Sequence, residues 1–463
     1  MKMNKIYFVA CMSLIIASCS ITRSYQSPET VAVNAFRGSN ELDTANIASI
    51  PWKEYFTDTL LQQHISKALS NNLDLKVAVA RIKYADANFK QSKLAFLPSA
   101  NVDASYTLSK PSAAQTGGQA SSSSVNLYSL SASASWEADI WGKLQSTKKA
   151  NIAALLASEA YRRSIQTEIV AAIANNYYAL MAFDQQLKIA EQTLEIRKSD
   201  TATMKALKTA AMVTGADVEQ SVANMYSAKI QAENIRRNIR ETENAISILL
   251  GQSPDSIFRN TLTTQVVTTD LKTGIPIQLL TNRPDIQRAE LQFRNAFELT
   301  NVAITYFYPS LTITGTGGFA TANTLKGFFD GGFYGSLVGG VTQPIFNKGL
   351  NKQRLKQAEA TQEEALYNFQ STLLTASQEV ADALYSYHNA SNLSTSRLEQ
   401  IVSLKKAVEY TKELLKYTSK VNYTDVLTAE TNYLSAQLNS IGDKLQQLQA
   451  TVNLYRALGG GWH

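Results

Sequence analysis

No proline occurs between Pro111 and Pro254, and none follows Pro344. Glycine nearly vanishes from the same regions: Gly215 is alone between Gly142 and Gly251, and Gly442 is alone between Gly349 and Gly459. Proline removes a helical amide and clashes with the preceding turn, and glycine weakens a helix by about 1 kcal/mol relative to alanine. Regions without either are open to helices longer than a globular domain holds. The apolar spacing agrees. Ile165, Ile169, Ile173, Tyr177, Leu180, Phe183, Leu187, Ala190 and Leu194 step by threes and fours, as do Leu434, Leu438, Ile441, Leu445, Leu448, Val452 and Tyr455. The second series is a heptad pattern and predicts left-handed coiled-coil packing. A helix from about Lys143 to about Lys205 would run roughly 90 Å at 1.5 Å per residue. It needs neighbours of similar length, so the expected architecture is a bundle or tube of helices.

Two hairpins interrupt this pattern. Val102, Ala104, Tyr106 and Leu108 alternate with Asp103, Ser105, Thr107 and Ser109, which is strand spacing. The predicted strands are Ala100–Ser109 with Val125–Asp139, and Ser310–Thr321 with Gly332–Gln343. A small, polar loop joins the first pair and the turn-like "ANTLKGFFDG" joins the second. Their length suits a tilted bilayer crossing of about 9–11 residues.

The chain also repeats itself. Pro98 aligns with Pro309, Gly142 with Gly349, Asp217 with Asp425, and "LLGQ" at Leu249 with "ALGGG" at Ala457. Each copy reads helix, hairpin, long helix, turn, helix. The expected organisation is a signal peptide over 1–18 and a lipidated N-terminal segment over 19–56. A first repeat follows over 57–250, a linker over 251–283, a second repeat over 284–460 and a tail over 461–463.

The N-terminus carries Lys2 and Lys5, an apolar run from Ile6 to Ala17, then small residues, the pattern of a secretory signal. Ile16-Ala17-Ser18-Cys19 resembles a bacterial lipobox, which makes Cys19 the candidate lipidation site. Cys11 would leave with the signal, so no disulfide forms within the mature chain. One lipid group gives marginal anchoring, so a second attachment to the membrane is expected. No later apolar run is long enough for a transmembrane helix. The net charge of +6 is spread thinly, without the basic blocks of a nucleic-acid partner. His64, His388 and His463 are scattered without metal-ligand spacing, and no GxSxG, P-loop or dinucleotide motif appears. The sequence therefore does not read as an enzyme, and no cofactor is expected beyond the lipid on Cys19.

A sheet of four strands cannot close in lipid, because its edges would hold unpaired amides and carbonyls. Outer-membrane barrels need about eight strands or more, so several chains must share one barrel. Three chains would supply twelve strands, four each.

The sequence resembles the TolC-like outer-membrane factors, in the lipoprotein branch that serves RND-type efflux pumps. The resemblance rests on Asn282-Arg283-Pro284-Asp285-Ile286, Phe307-Tyr308-Pro309-Ser310-Leu311, Gln343-Pro344-Ile345-Phe346, Tyr423-Thr424-Asp425-Val426-Leu427 and Tyr455-Arg456-Ala457-Leu458-Gly459-Gly460-Gly461-Trp462. It implies a mainly α, two-repeat fold with a transmembrane β-barrel, and it assigns residues 19–56 to an equatorial belt. The assembly it implies is a homotrimer, with a 12-stranded barrel in the outer membrane and a long helical barrel in the periplasm. Its implied partners are outer-membrane lipid, a periplasmic adaptor (membrane fusion) protein and an inner-membrane RND transporter. The implied function is passive export of drugs, metals or other small toxic compounds. A type I protein secretion channel and a lipid-anchored helical scaffold without a pore are the competing readings.

In such a tube the turns "TAAMVTGADVEQ" and "LKYTSKVNYTDVLTAE" would form the periplasmic end. Asp425 matches the family's first pore-facing Asp after the Tyr, while Thr428 stands where the family often has a further acid. Asp217 holds the corresponding place in the first repeat. Either residue could instead serve its helix start, with Thr214 or Thr424 as the N-cap. Tyr417 and Tyr423 are candidates for hydrogen bonds that hold the end shut, or for plain packing. Gly215 is expected to supply a turn with positive φ. Trp136 and Trp141 mark either an interfacial aromatic belt or the strand–helix junction.

Overall fold

The computed structural model describes residues 21–28, 46–110, 124–266, 273, 278–418 and 421–463. The signal segment, Cys19 and nearly all of the loop between the first two strands lie outside these residues. The chain runs as α1 (Thr59–Asn71), α2 (Leu73–Leu94), β1 (Ser99–Ser109), β2 (Val125–Ala138), α3 (Lys143–Thr209) and α4 (Gly215–Leu249). It then continues through α5 (Pro284–Thr305), β3 (Ser310–Ala322), β4 (Phe333–Thr342), α6 (Leu350–Tyr417) and α7 (Tyr423–Ala457). The loop "ANTLKGFFDG" contains one helical turn, Phe328–Gly331.

The repeat shows in the element lengths. α2 and α5 have 22 residues each, α3 and α6 have 67 and 68, and α4 and α7 have 35 each. The long helices stop where their breakers stand. Gly142 and Gly349, with φ of 76° and 81°, precede α3 and α6. Gly251 and Gly459, with φ of 66° and 95°, end α4 and α7. The amides of Gln252 and Gly460 return to the carbonyls of Ser247 and Tyr455, the left-handed closure that favours glycine.

The chain divides into two compact units, and the division cuts across the repeats. One unit takes Ile82–Ser158 and Ala289–Phe369 with the described residues before 29. The other takes Glu159–Arg288, Gln370–His463 and the described residues between 46 and 81.

The first unit holds the sheet, antiparallel in the order β1-β2-β3-β4. Its register aligns the alternation across all strands. Val102 pairs with Ala132, Leu130 with Phe319, and Phe319 with Phe333, while on the opposite face Asp103 pairs with Ser131 and Ser133 with Thr316. One face is thus apolar, the other mostly Ser, Thr and Gly. The apolar face is not covered: Val102, Leu108, Phe333, Leu337 and Val341 are all exposed. Aromatics sit at both ends of it. Tyr106 and Tyr128 touch near the hairpin turns, their centroids 5.1 Å apart, and Trp136 donates to the Phe96 carbonyl at the helix end. Trp141 instead donates to the Pro309 carbonyl and packs on Tyr308, so it belongs to the strand–helix junction. Among the described residues the outer edges of β1 and β4 have no strand partner.

The second unit contains the larger core. The apolar stripes read from the sequence are buried or half-buried along α3 and α7, with Ile173, Tyr177, Leu180, Leu448, Val452 and Tyr455 inside. Two of the motifs meet there. Arg283 bonds both oxygens of Asp285 (3.0 and 2.5 Å), Glu379 (2.7 Å) and the Ala457 carbonyl (2.9 Å). Arg456 reaches Glu379 as well, and Trp462 donates to the Asn282 carbonyl. A Cβ on Gly459 would collide with that same Asn282 carbonyl. Gly459→Ala therefore combines a left-handed backbone, costing about 1–2 kcal/mol, with a backbone clash. It is expected to lower the thermal midpoint by several degrees, and an unchanged midpoint would contradict this closure.

Candidate functional site

Both helix reversals lie in the second unit, and each ends in a capping box. Thr214 accepts from the Asp217 amide while Asp217 accepts from the Thr214 amide at 2.8 Å. Asn422 and Asp425 repeat the arrangement at 3.0 and 2.9 Å. The N-cap of α7 is therefore Asn422 rather than Thr424, because Asn422 stands three residues before the acid that returns its bond. Asp425 is exposed apart from these bonds and Asp217 is half-buried. The Thr214 hydroxyl and amide hold the Asp217 carboxyl below the usual carboxylate range. Gly215 has no positive φ. It is already the first residue of α4, and the left-handed residue is Ala211 with φ of 58°. The amides of Ala211 and Met212 close α3 onto the carbonyls of Lys208 and Leu207, so the chain turns before it reaches the glycine. Thr428 is exposed and donates to the Thr424 carbonyl. Tyr417, the last residue of α6, is 82% exposed.

Tyr423 leads into a charged cluster that the sequence reading did not single out. Arg197 of α3, only 5% exposed, bonds Glu430 of α7 and lies 3.3 Å from Asp200. Lys412 of α6 reaches the other oxygen of Glu430 at 2.6 Å. The Tyr423 hydroxyl is buried beside them, and its pKa is pushed up to about 12 by burial and then by the Asp200 carboxylate. Burial and the nearby Glu430 also raise Asp200 above the usual carboxylate range. Three helices are thus tied together close to the reversals through the Glu430 carboxylate, which takes Arg197 from α3 and Lys412 from α6. The signal for it was present. Arg197 continues the stripe Leu187, Ala190, Leu194, and Glu430 continues the stripe that starts at Leu434. A charge on an apolar stripe needs a partner, and the two stripes supply each other's.

In the first unit, residues 22–28 run along α5. Thr22 lies against Gly142, the Arg23 amide and carbonyl both bond Asn301, Tyr25 packs on Phe293 and Phe297, and Ser27 bonds Glu290. The segment thus starts where β2 passes into α3.

An amphipathic four-stranded sheet whose outer edges are open among the described residues, with a long helix following each strand pair in a two-fold repeat, defines a TolC-like channel subunit. The sequence comparisons agree. The family model for outer membrane efflux proteins matches residues 64–252 and 275–460. The toluene efflux pump outer membrane protein TtgC of Pseudomonas putida is 28% identical over 98% of this chain and 95% of its own length. Outer membrane protein OprJ of Pseudomonas aeruginosa is 28% identical over 97% and 95%. Among solved structures, the Campylobacter jejuni CmeC outer membrane channel superposes with a TM-score of 0.86 at 25% identity, covering 96% of this chain and 95% of that one. The chain belongs to the outer membrane efflux protein family.

Proposed function

We propose that this chain is the outer-membrane exit duct of a tripartite RND-type efflux system. Three copies close one barrel of twelve strands, four from each. A periplasmic adaptor protein joins the duct to an inner-membrane RND transporter, which supplies the energy, and drugs, metals or other small toxic compounds leave passively. The observation that carries this reading is the sheet: one face exposed and apolar, the other polar, with both edges unpaired among the described residues. In lipid those edges must be satisfied by strands of further copies. The relatives named as efflux-pump outer membrane proteins support the export class.

The start of the described chain supports lipidation of Cys19. Thr22 lies against Gly142 at the helix end of the sheet. Three residues span at most about 11 Å, so an acyl group on Cys19 would sit near the level of the bilayer surface. Mass measurement of the detergent-solubilised assembly, made together with its single-channel conductance, tests the reading. A trimer that conducts is expected. A stable monomer, or a trimer without conductance even after the reversals are mutated, would overturn it.

The reversals form the closable end of the duct. With Asp425 repeated around a symmetry axis, its charge favours cations. Asp425→Asn keeps an acceptor for the Asn422 amide and removes the charge. Its expected effect is a lower cation preference in reconstituted channels with helicity unchanged. Unaltered selectivity would confine Asp425 to its capping role.

A further inference from the structure

The junction between the sheet and its helices forms a cleft of about 310 Å³, open to solvent on one side, within the first unit. Its walls come from the ends of β2, β3 and β4 and the starts of α3 and α6. A volume near 300 Å³ is at the small end of the range for small-molecule sites, about 300–1,000 Å³. The strand register shows which side it faces. Glu137, Ser310 and Thr342 in its wall belong to the row that contains Thr312 and Thr314, the polar face of the sheet.

The cavity is lined by two carboxylates, Glu137 and Asp139, and two cations, Lys143 and Arg354, but they do not pair evenly. Lys143 is held by both oxygens of Glu137 at 2.9 and 3.1 Å. Both oxygens of Asp139 accept the first amides of α3, from Leu144 and Gln145. Trp141 donates to the Pro309 carbonyl and Asn351 to the Tyr306 carbonyl. Arg354 alone has no carboxylate partner among the described residues; its guanidinium lies over the Tyr306 ring, 4.5 Å from the centroid. Beside it Trp141 and Tyr308 form an aromatic wall, with centroids 5.0 Å apart and planes inclined by 36°. A guanidinium that rests over a ring without a carboxylate partner still has N–H donors to offer a planar oxyanion.

We propose that this cavity binds a small aromatic carboxylate from the polar side of the sheet. The ring of the ligand packs on Trp141 and Tyr308, and its carboxylate takes N–H donors of Arg354. Neutral and cationic molecules of the same shape lose the ion pair and leave the guanidinium desolvated. The proposal concerns the cavity alone and does not depend on which compounds are exported.

Calorimetric titration of the intact detergent-solubilised protein with naphthoate tests it, with naphthylmethanol as the neutral isostere. Saturable naphthoate binding is expected, at least about tenfold tighter than the alcohol, as charge-assisted bonding requires. Arg354→Gln is expected to remove that preference, while Arg354→Lys, which keeps the charge without the planar fork, retains part of it. Tyr308→Ala should weaken both probes. Equal binding of acid and alcohol, unaltered naphthoate binding by Arg354→Gln in protein of normal thermal stability, or no binding of naphthoate at all would each overturn the proposal.

Discussion

Replacing Arg197 with alanine is expected to raise the opening frequency of reconstituted channels on the order of ten- to a hundredfold. Among the described residues, the substitution removes the one ion pair that joins α3 to Glu430 of α7 near the reversals. Glu430 keeps Lys412, so its charge is not wholly abandoned. The loss should therefore lie below the 3–5 kcal/mol typical of a buried pair that loses one partner, at about 1.5–3 kcal/mol. Asp200→Asn separates an electrostatic tie from simple packing. Burial and Glu430 raise the Asp200 pKa, so its ionised form works against the folded cluster. For an acid shifted upward, the stabilisation is fully present below the unfolded value and is lost as pH rises through the folded one. The asparagine variant, neutral at every pH, should thus open no more often than the wild type. Bilayer recordings of both variants decide the matter. Equal opening in Arg197→Ala and wild type would show that the cluster does not restrain the end of the duct.

The second large effect is expected at Arg283. Its guanidinium is 6% exposed and serves Asp285, Glu379 and the Ala457 carbonyl at once. Arg283→Met fills a similar volume but leaves the Asp285 carboxylate without its guanidinium and the Ala457 carbonyl without its donor, while Glu379 keeps Arg456. A cost of about 3–5 kcal/mol follows, lowering the thermal midpoint on the order of 5–10 °C. Neutralising the stranded acid as well, in Arg283→Met with Asp285→Asn, should recover part of the loss, because the unpaired charge is gone. A single variant that melts with the wild type would show that the Asn282–Asp285 segment is not held through this hub.

Much of this was legible in the residues, for local reasons. The long helices follow from missing breakers and a regular stripe, both properties of neighbouring positions. The strands appeared to within one or two residues because alternation changes to helical spacing abruptly at Pro98 and Pro309. The shared face across all four strands was not visible, since it depends on register between β2 and β3, which lie far apart in sequence. The Arg197 cluster escaped for the same reason. Each of its members looks like an ordinary helical charge until α3 and α7 lie side by side. At the reversals the spacing of Thr214 and Asp217 was readable, but the left-handed residue was misplaced onto Gly215. The turn closes at Ala211, an alanine in a conformation that composition assigns to glycine.

The near-identical spans of α3 and α6, and of α4 and α7, carry an implication for how such a protein can change. A seven-residue insertion in one arm would leave its counterpart about two turns short and put one reversal out of step with the other. Reach can therefore be adjusted only by edits made twice, one in each half. Natural variants of different length should differ by matched indels some 208 positions apart, the interval that separates Asp217 from Asp425.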